Sequence, residues 1–221
     1  MNVTLYTPHK NQQKIHKVIN EGTNKYFVLN IGRQWGKSLL AMNQNYFWLF
    51  NDNGCKCAWV SPIYKQAKKV FDEMVEAFAN TGMIKSNATE LTITAINGST
   101  LQFFSAERYD NIRGFTFDYL TIDEFAFIDS EAWTEVLRAT VLVKGKKVLL
   151  ISTPKGKNHF YQIYNLSHDN TQYKSFSMSS YENPLIDPKE IDDAKLTLPD
   201  HIFRQEYLAN GNANCAAKPL A

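Results

Sequence analysis

The sequence predicts an α/β fold with a mostly parallel sheet and helices on both faces, followed by a small C-terminal helical subdomain. Three observations predict it. Short apolar runs typical of buried strands alternate with segments whose apolar residues recur at helical spacing. A glycine-containing turn, Gly32 to Ser38, joins the first of these runs to a helix-like segment. Two adjacent acids, Asp123 and Glu124, end a later apolar run.

The composition is that of a soluble globular protein with a sizeable core. The chain has 221 residues, of which 44% are hydrophobic and 21% charged, and its net charge of +2 neither requires nor excludes nucleic acid. Three cysteines, Cys55, Cys57 and Cys215, are an odd number without zinc-ligand spacing, which argues against a disulfide framework. No apolar run has membrane-spanning length and no signal peptide is present, so we expect an intracellular protein.

Each element follows from its own pattern. Mostly apolar runs predict buried strands at 26–29, 57–60, 119–122 and 147–151, and we expect a last strand at 173–176. Apolar residues at three-and-four spacing predict helices around 12–19, 39–50, 67–78, 130–139 and 158–166. Asn97-Gly98 between two alternating runs predicts a β-hairpin, and Ser130 is the expected N-cap of its helix.

The prolines and short charged pieces after Ser179 indicate a change of organisation. We therefore expect a core over 1–178 and a small helical linker or lid subdomain over 179–210. Residues 211–221 have neither periodicity nor bulk and are expected to form a disordered tail.

The turn after the first strand has the chemistry of a phosphate-binding loop. Free backbone N–H groups and the helix dipole favour an anion there. Lys37 would supply a charge for the β- and γ-phosphates, and the Ser38 hydroxyl a ligand for Mg²⁺. The usual pattern asks for glycine where this chain has Ile31. The predicted ATP-binding residues of this segment are Gly32, Arg33, Gln34, Trp35, Gly36, Lys37, Ser38 and Leu39.

The acidic pair supplies two groups that phosphoryl transfer needs besides the loop, a further metal ligand and a base. Asp123 can hold Mg²⁺, directly or through its water, and Glu124 can orient and polarise the attacking water. An acidic helix start is the ordinary alternative for such a pair. A loop and an acidic strand in this order support each other and predict a P-loop NTPase of the RecA/ASCE-like class.

Ser152-Thr153-Pro154 ends the next buried strand, where ligands of open α/β sheets bind. A γ-phosphate sensor and a plain strand-ending turn are equally compatible with it. Two arginines are candidate charge stabilisers in catalysis. Arg33 could contact the γ-phosphate or pair with an acid to shape the loop, whereas Arg113 could act in cis or on a neighbouring subunit.

Together these residues resemble the ATPase domain of the large terminase subunit of tailed bacteriophages, the motor that packages DNA into capsids. The loop is similar to that family's deviant P-loop, in which an arginine follows the first small residue. The other matching motifs, in chain order, are Pro8-x-x-x-Gln12 with His16, Val60-Ser-Pro62, Ile112-Arg-Gly114, Asp123-Glu-Phe-Ala126 and Ser152-Thr-Pro154.

The resemblance implies roles for several of these residues. Gln12 would contact adenine, with Gln13 less favoured, and Arg113 would be a trans-acting finger. Ser152, Thr153 and Pro154 would form a coupling motif. ATP and Mg²⁺ are the implied cofactors. The implied partners are double-stranded DNA, the portal protein, the small terminase subunit and further copies in a ring, with little self-association in isolation.

The resemblance also places the protein in the host cell cytoplasm and transiently on the procapsid, with no membrane partner. Family members continue after a segment similar to Gln205-Glu-Tyr-Leu208 into a metal-dependent nuclease domain, so no nuclease activity is expected from these 221 residues. Two other interpretations are one lobe of a nucleic-acid helicase and a nucleotide-dependent assembly module that does not hydrolyse ATP. Intact Lys37, Ser38, Asp123 and Glu124 argue against the latter.

Overall fold

The computed structural model describes residues 6–211. Its helices are α1 (Lys10–Glu21), α2 (Lys37–Asn51), α3 (Tyr64–Glu76), α4 (His159–Asn165), α5 (Pro188–Thr197) and α6 (Asp200–Glu206). Its strands are β1 (Tyr26–Ile31), β2 (Lys56–Ser61), β3 (Ile84–Asn87), β4 (Thr92–Ala95), β5 (Thr100–Ser105), β6 (Tyr119–Ile122), β7 (Lys147–Ser152) and β8 (Tyr173–Met178).

These strands form one sheet in the order β3-β4-β5-β2-β6-β7-β1-β8. Six neighbouring strands of this sheet, β5, β2, β6, β7, β1 and β8, run parallel. At the β3 edge, β3 pairs antiparallel with β4, and β4 pairs antiparallel with β5. The predicted hairpin around Asn97-Gly98 is the β4–β5 pair. The predicted α/β class with a mostly parallel sheet is confirmed.

The sheet separates two hydrophobic cores, because alternate side chains of a strand point to opposite faces. In β1, Phe27 and Leu29 pack into the core shared with α1, α2 and α3, whereas Tyr26 and Val28 pack into the other core. The second core is covered by α4 and by the short helical turns between β6 and β7. Strands buried on both faces explain the continuous apolar runs in the sequence.

Three local features differ from the prediction. The four-residue strand β3 was missed, since most of its side chains are exposed and its pattern is weak. The polar segment after β5 contains a 3₁₀ helix, Ala106–Ile112. The prediction that Ser130 is an N-cap was wrong: the neighbouring Asp129 carboxylate accepts from the Glu131 N–H at 3.0 Å, and a π-helical stretch, Ala132–Leu137, follows.

Cys55 and Cys57 are buried free thiols, with Cys57 in β2 as expected. Cys215 and residues 212–221 of the predicted tail lie outside the described residues. None of the helices between Tyr6 and Gly211 combines the length and the apolar character needed to cross a membrane.

Candidate active site

The sheet topology brings the predicted motifs to one edge. Strands β6, β7 and β1 are neighbours and parallel, so their carboxyl ends lie together. The phosphate loop follows β1, the acidic pair follows β6, and β7 ends at Ser152. This is where ligands bind in open α/β sheets.

The loop itself presents backbone donors. Gly36 has φ 93°, a left-handed conformation that favours glycine, and it directly precedes α2. Within residues 6–211, the backbone N–H groups from 34 to 39 find no hydrogen-bond acceptor. Free N–H groups at the start of a 15-residue helix favour an anion, and phosphate binding by this loop stays a prediction.

Lys37 and Ser38 each meet one member of the acidic pair. Lys37 Nζ lies 3.1 Å from Glu124 Oε1. The Ser38 hydroxyl donates to the two oxygens of Asp123 at 3.4 and 3.5 Å. Residues 85 positions apart in the sequence are thus paired as the phosphate-loop interpretation requires.

Asp123 is buried, with 8% of its surface exposed. Burial and, to a smaller extent, the charge of Glu124 together raise the pKa of the Asp123 carboxyl to about 7, against the opposing effect of Lys37. A buried carboxylate beside a serine hydroxyl fits Mg²⁺, which binds proteins through one or two such oxygens together with substrate phosphates. No group of three or more His, Cys, Asp or Glu within residues 6–211 could hold a metal alone.

Glu124 is held by both its backbone and its side chain. It adopts φ 49° and ψ 46°, a left-handed conformation that is costly for a residue other than glycine. Ser152 donates to Glu124 Oε2 at 3.3 Å and accepts from the Ala126 N–H at 3.2 Å. Ser152 therefore orients the acid that is the predicted base.

A cavity of about 420 Å³ opens over these groups. This volume lies in the range of small-molecule sites. Its walls are formed by Arg33, Gln34, Lys37, Pro62, Ile63, Gln66, Glu124, Phe127 and Thr153. Thr153 of the predicted coupling motif therefore reaches the cavity, whereas Pro154 lines a separate one of about 190 Å³ beside Asn30 and Ala209.

Arg33 pairs with an acid, one of the two possibilities left open by the sequence. Its Nε lies 2.5 Å from Glu206 Oε2, and its backbone N–H donates to the Glu206 carbonyl at 2.7 Å. The hydrogen bond and charge of Glu206 raise the pKa of Arg33. The side chain stays 62% exposed and lines the cavity.

The segment after β8 packs against the back of the loop. Ser180 Oγ donates to the Arg33 carbonyl and Asn183 Nδ2 to the Gln34 carbonyl, each at 2.7 Å. A Cβ on Gly32 would lie 2.6 Å from the Tyr207 carbonyl oxygen. The Gly32 N–H donates to Met178, so this glycine is required by packing, and its N–H is not available to phosphate.

Gln12 connects α1 to the loop. It is buried, its Nε2 donates to the Gly36 carbonyl at 3.3 Å, and its Oε1 accepts from the His9 N–H at 3.1 Å. Trp35, also buried, contacts the His9 ring edge to face at 4.7 Å. These contacts place Gln12 beside the loop, and the adenine contact remains a prediction.

Arg113 does not line the cavity. It follows the 3₁₀ segment, is 54% exposed, and pairs with Asp110 at 2.7 Å and Glu135 at 3.1 Å. The contacts of Ser180, Asn183 and Glu206 with the loop were not predicted from the sequence. No local pattern could reveal them, because the partners Arg33 and Glu206 are 173 positions apart.

Comparison with known proteins gives consistent matches. The family profile described as terminase large subunit, T4likevirus-type, N-terminal, matches residues 28–213. The terminase large subunit of Thermus virus P23-45 is 30% identical over 91% of this chain, and that of Escherichia phage T5 is 29% identical over 92%. The chain spans 48% of the length of each of these curated relatives.

Among solved structures, the large terminase ATPase domain of Thermus phage P74-26 superimposes with a TM-score of 0.78 at 29% identity. The match covers 93% of this chain and 94% of that domain.

Proposed function

Because this chain belongs to the T4likevirus-type family of phage terminase large subunits, we propose that it is an ATPase domain that hydrolyses ATP to drive double-stranded viral DNA into a procapsid. The observation that carries the proposal is the pairing of Lys37 with Glu124 and of Ser38 with Asp123 beneath one cavity. An intact base argues for hydrolysis rather than for a module that only binds nucleotide.

ATP binding uses the loop and its helix. The N–H groups of residues 34–39 hold the phosphate oxygens, and Lys37 moves from Glu124 to the β- and γ-phosphates. Ser38 and Asp123 would hold Mg²⁺, which neutralises charge on the phosphate oxygens when bound. Gln12 lies beside Gly36 and would contact the adenine of ATP from helix α1.

Hydrolysis then depends on Glu124. Once Lys37 has left, the Glu124 carboxylate, oriented by Ser152, accepts a proton from a water molecule. The water oxygen attacks the γ-phosphorus as the bond to the β-phosphate oxygen breaks, giving ADP and inorganic phosphate. Arg33 and, from a neighbouring subunit, Arg113 are the guanidinium groups that would stabilise the charge of the transition state.

Translocation would use a ring of such subunits on the procapsid, in the host cytoplasm, with the portal protein and the small terminase subunit as partners. Binding of DNA through its phosphates would be largely electrostatic and indifferent to sequence. The exposed loop position of Arg113 suits a role across a subunit boundary. Its ion pairs with Asp110 and Glu135 are exposed, so breaking them costs little free energy.

A packaging assay tests the proposal. The chain is mixed with procapsids, ATP and linear DNA, and both phosphate release and nuclease-protected DNA are measured. We expect both to occur, and Lys37→Ala to lose both. Phosphate release without protected DNA would contradict the translocation role of this chain, and no phosphate release would contradict the ATPase.

A further inference from the structure

Helix α2, which carries Lys37 and Ser38, meets one face of β6 at three successive points. Tyr119 and Thr121 are two residues apart in β6 and therefore point to the same side, and Asp123 continues this spacing directly after the strand. The Tyr119 ring stacks on Trp48 with 4.7 Å between the ring centroids. Thr121 accepts a hydrogen bond from Asn45, and Asp123 accepts one from the Ser38 hydroxyl. The helix and the strand are thus aligned by a row of specific contacts.

The middle contact is a hydrogen bond between two buried polar side chains. Asn45 Nδ2 donates to Thr121 Oγ1 at 2.7 Å, and both residues are fully buried. Asn45 follows Ser38 by seven residues, about two helical turns, so the two share one face of α2. Apolar contacts permit a helix to slide on a sheet, whereas a buried directional hydrogen bond specifies one register.

This pair is not arranged for the greatest stability. Asn45 Oδ1 is buried and has no hydrogen-bond partner among the described residues. A buried acceptor without a partner is destabilising, and such exceptions are expected mainly where a function requires them. An apolar pair of the same shape would avoid this cost but would not fix the register.

We propose that Asn45 and Thr121 are positioning residues, which set the register of α2 on β6 so that the Ser38 hydroxyl and the Asp123 carboxylate share one divalent cation. The inference rests on the proposed ATPase function and extends it to residues that do not touch the nucleotide cavity. Ser38 Oγ and the Asp123 oxygens are 3.4–3.5 Å apart, so a small slip of the helix would separate them.

The test measures the affinity for a fluorescent, non-hydrolysable ATP analogue with excess Mg²⁺ and with EDTA. The ratio of the two affinities is the magnesium gain. Thr121→Val removes the hydroxyl without changing the side-chain shape. We expect it to lower the magnesium gain about fivefold, because one neutral hydrogen bond corresponds to about that factor in an equilibrium constant. The affinity measured in EDTA should change little. Thr121→Ser should retain the parent gain, and Asn45→Ala should reproduce the loss.

Thr140→Val is the matched control. Thr140 is another buried threonine, and its hydroxyl donates to the Leu137 carbonyl at 2.7 Å. Its substitution should lower thermal stability and leave the magnesium gain unchanged. The proposal is overturned if Thr121→Val keeps the parent gain, or if it weakens binding equally with Mg²⁺ and with EDTA. A parent chain with no magnesium gain would contradict the ATPase function instead.

Discussion

The Lys37 ammonium and the Glu124 carboxylate lie 3.1 Å apart, so the predicted phosphate ligand and the predicted base neutralise each other in the nucleotide-free chain. Both side chains are largely buried, with 11% and 27% of their surfaces exposed. In the proposed mechanism, an arriving triphosphate would compete with Glu124 for Lys37. The release of Glu124 for base catalysis would then be linked to occupation of the phosphate site.

Glu124→Gln should keep nucleotide binding and lose turnover, by about 10²–10⁴-fold, because an amide cannot accept the proton of the attacking water. Single-turnover phosphate release and analogue affinity measure the two effects separately. Glu131→Gln, at an exposed acid outside the cavity, is the control. Hydrolysis by Glu124→Gln at the parent rate would show that another group is the base.

Lys37→Ala should lose nucleotide binding, because it removes the cation that faces the β- and γ-phosphates. Titration with a fluorescent ATP analogue in Mg²⁺ measures this loss. Lys14→Ala, at an exposed position of α1, serves as the control for a lost positive charge. Equal affinities of the parent and Lys37→Ala would disprove the phosphate role of this lysine.

Asp123→Asn should stabilise the nucleotide-free chain strongly at pH 8 and only weakly at pH 5. The folded-state pKa of Asp123 is raised to about 7, so the folded chain keeps a proton that the unfolded chain releases above about pH 4. The free energy of unfolding therefore falls between pH 4 and 7, by on the order of 4 kcal/mol for a pKa raised from about 4 to about 7, and asparagine removes this loss. Urea denaturation in EDTA at both pH values measures the effect.

Two outcomes would contradict this account of Asp123. One is an equal effect of the substitution at pH 5 and pH 8. The other is an unchanged order of stabilities when Mg²⁺ and an ATP analogue are added, since the ion binds the carboxylate and should make the parent the more stable chain.

Gly32→Ala should destabilise the packing of residues 180–209 on the loop, by roughly 1–3 kcal/mol, because its Cβ would press on Tyr207 and Ser180. Limited proteolysis should show faster cleavage in that segment. Gly54→Ala is the control, since Gly54 has φ 72° and open space around it, so only backbone strain is added. Equal cleavage patterns for the two variants would refute the packing role of Gly32.

Arg113→Ala should leave the fold and the nucleotide affinity of the isolated chain intact, because its ion pairs with Asp110 and Glu135 are exposed. ATPase rate per subunit, measured against protein concentration, should rise for the parent and stay flat for the variant. A flat parent profile across assembly, with Arg113→Ala neutral, would exclude the role in trans.

The sequence was informative where the chemistry is local. Continuous apolar runs located the buried strands, and Lys37, Ser38, Asp123 and Glu124 were placed correctly at one edge because parallel strands end together. Contacts between segments that are distant in the sequence could not be predicted from it. Glu206 and Arg33 are 173 positions apart and meet only through the tertiary structure, and the four-residue β3 has too few buried side chains to form a pattern.

The position of β7 between β6 and β1 has a mechanical consequence. The acids and the phosphate loop follow strands that are not neighbours, so the site spans two inter-strand spacings, about 9–10 Å. The side chains of Lys37 and Glu124 bridge this gap. In the proposed ATPase, the distance between the phosphate-binding lysine and the base would therefore depend on the twist of the sheet between β1 and β6.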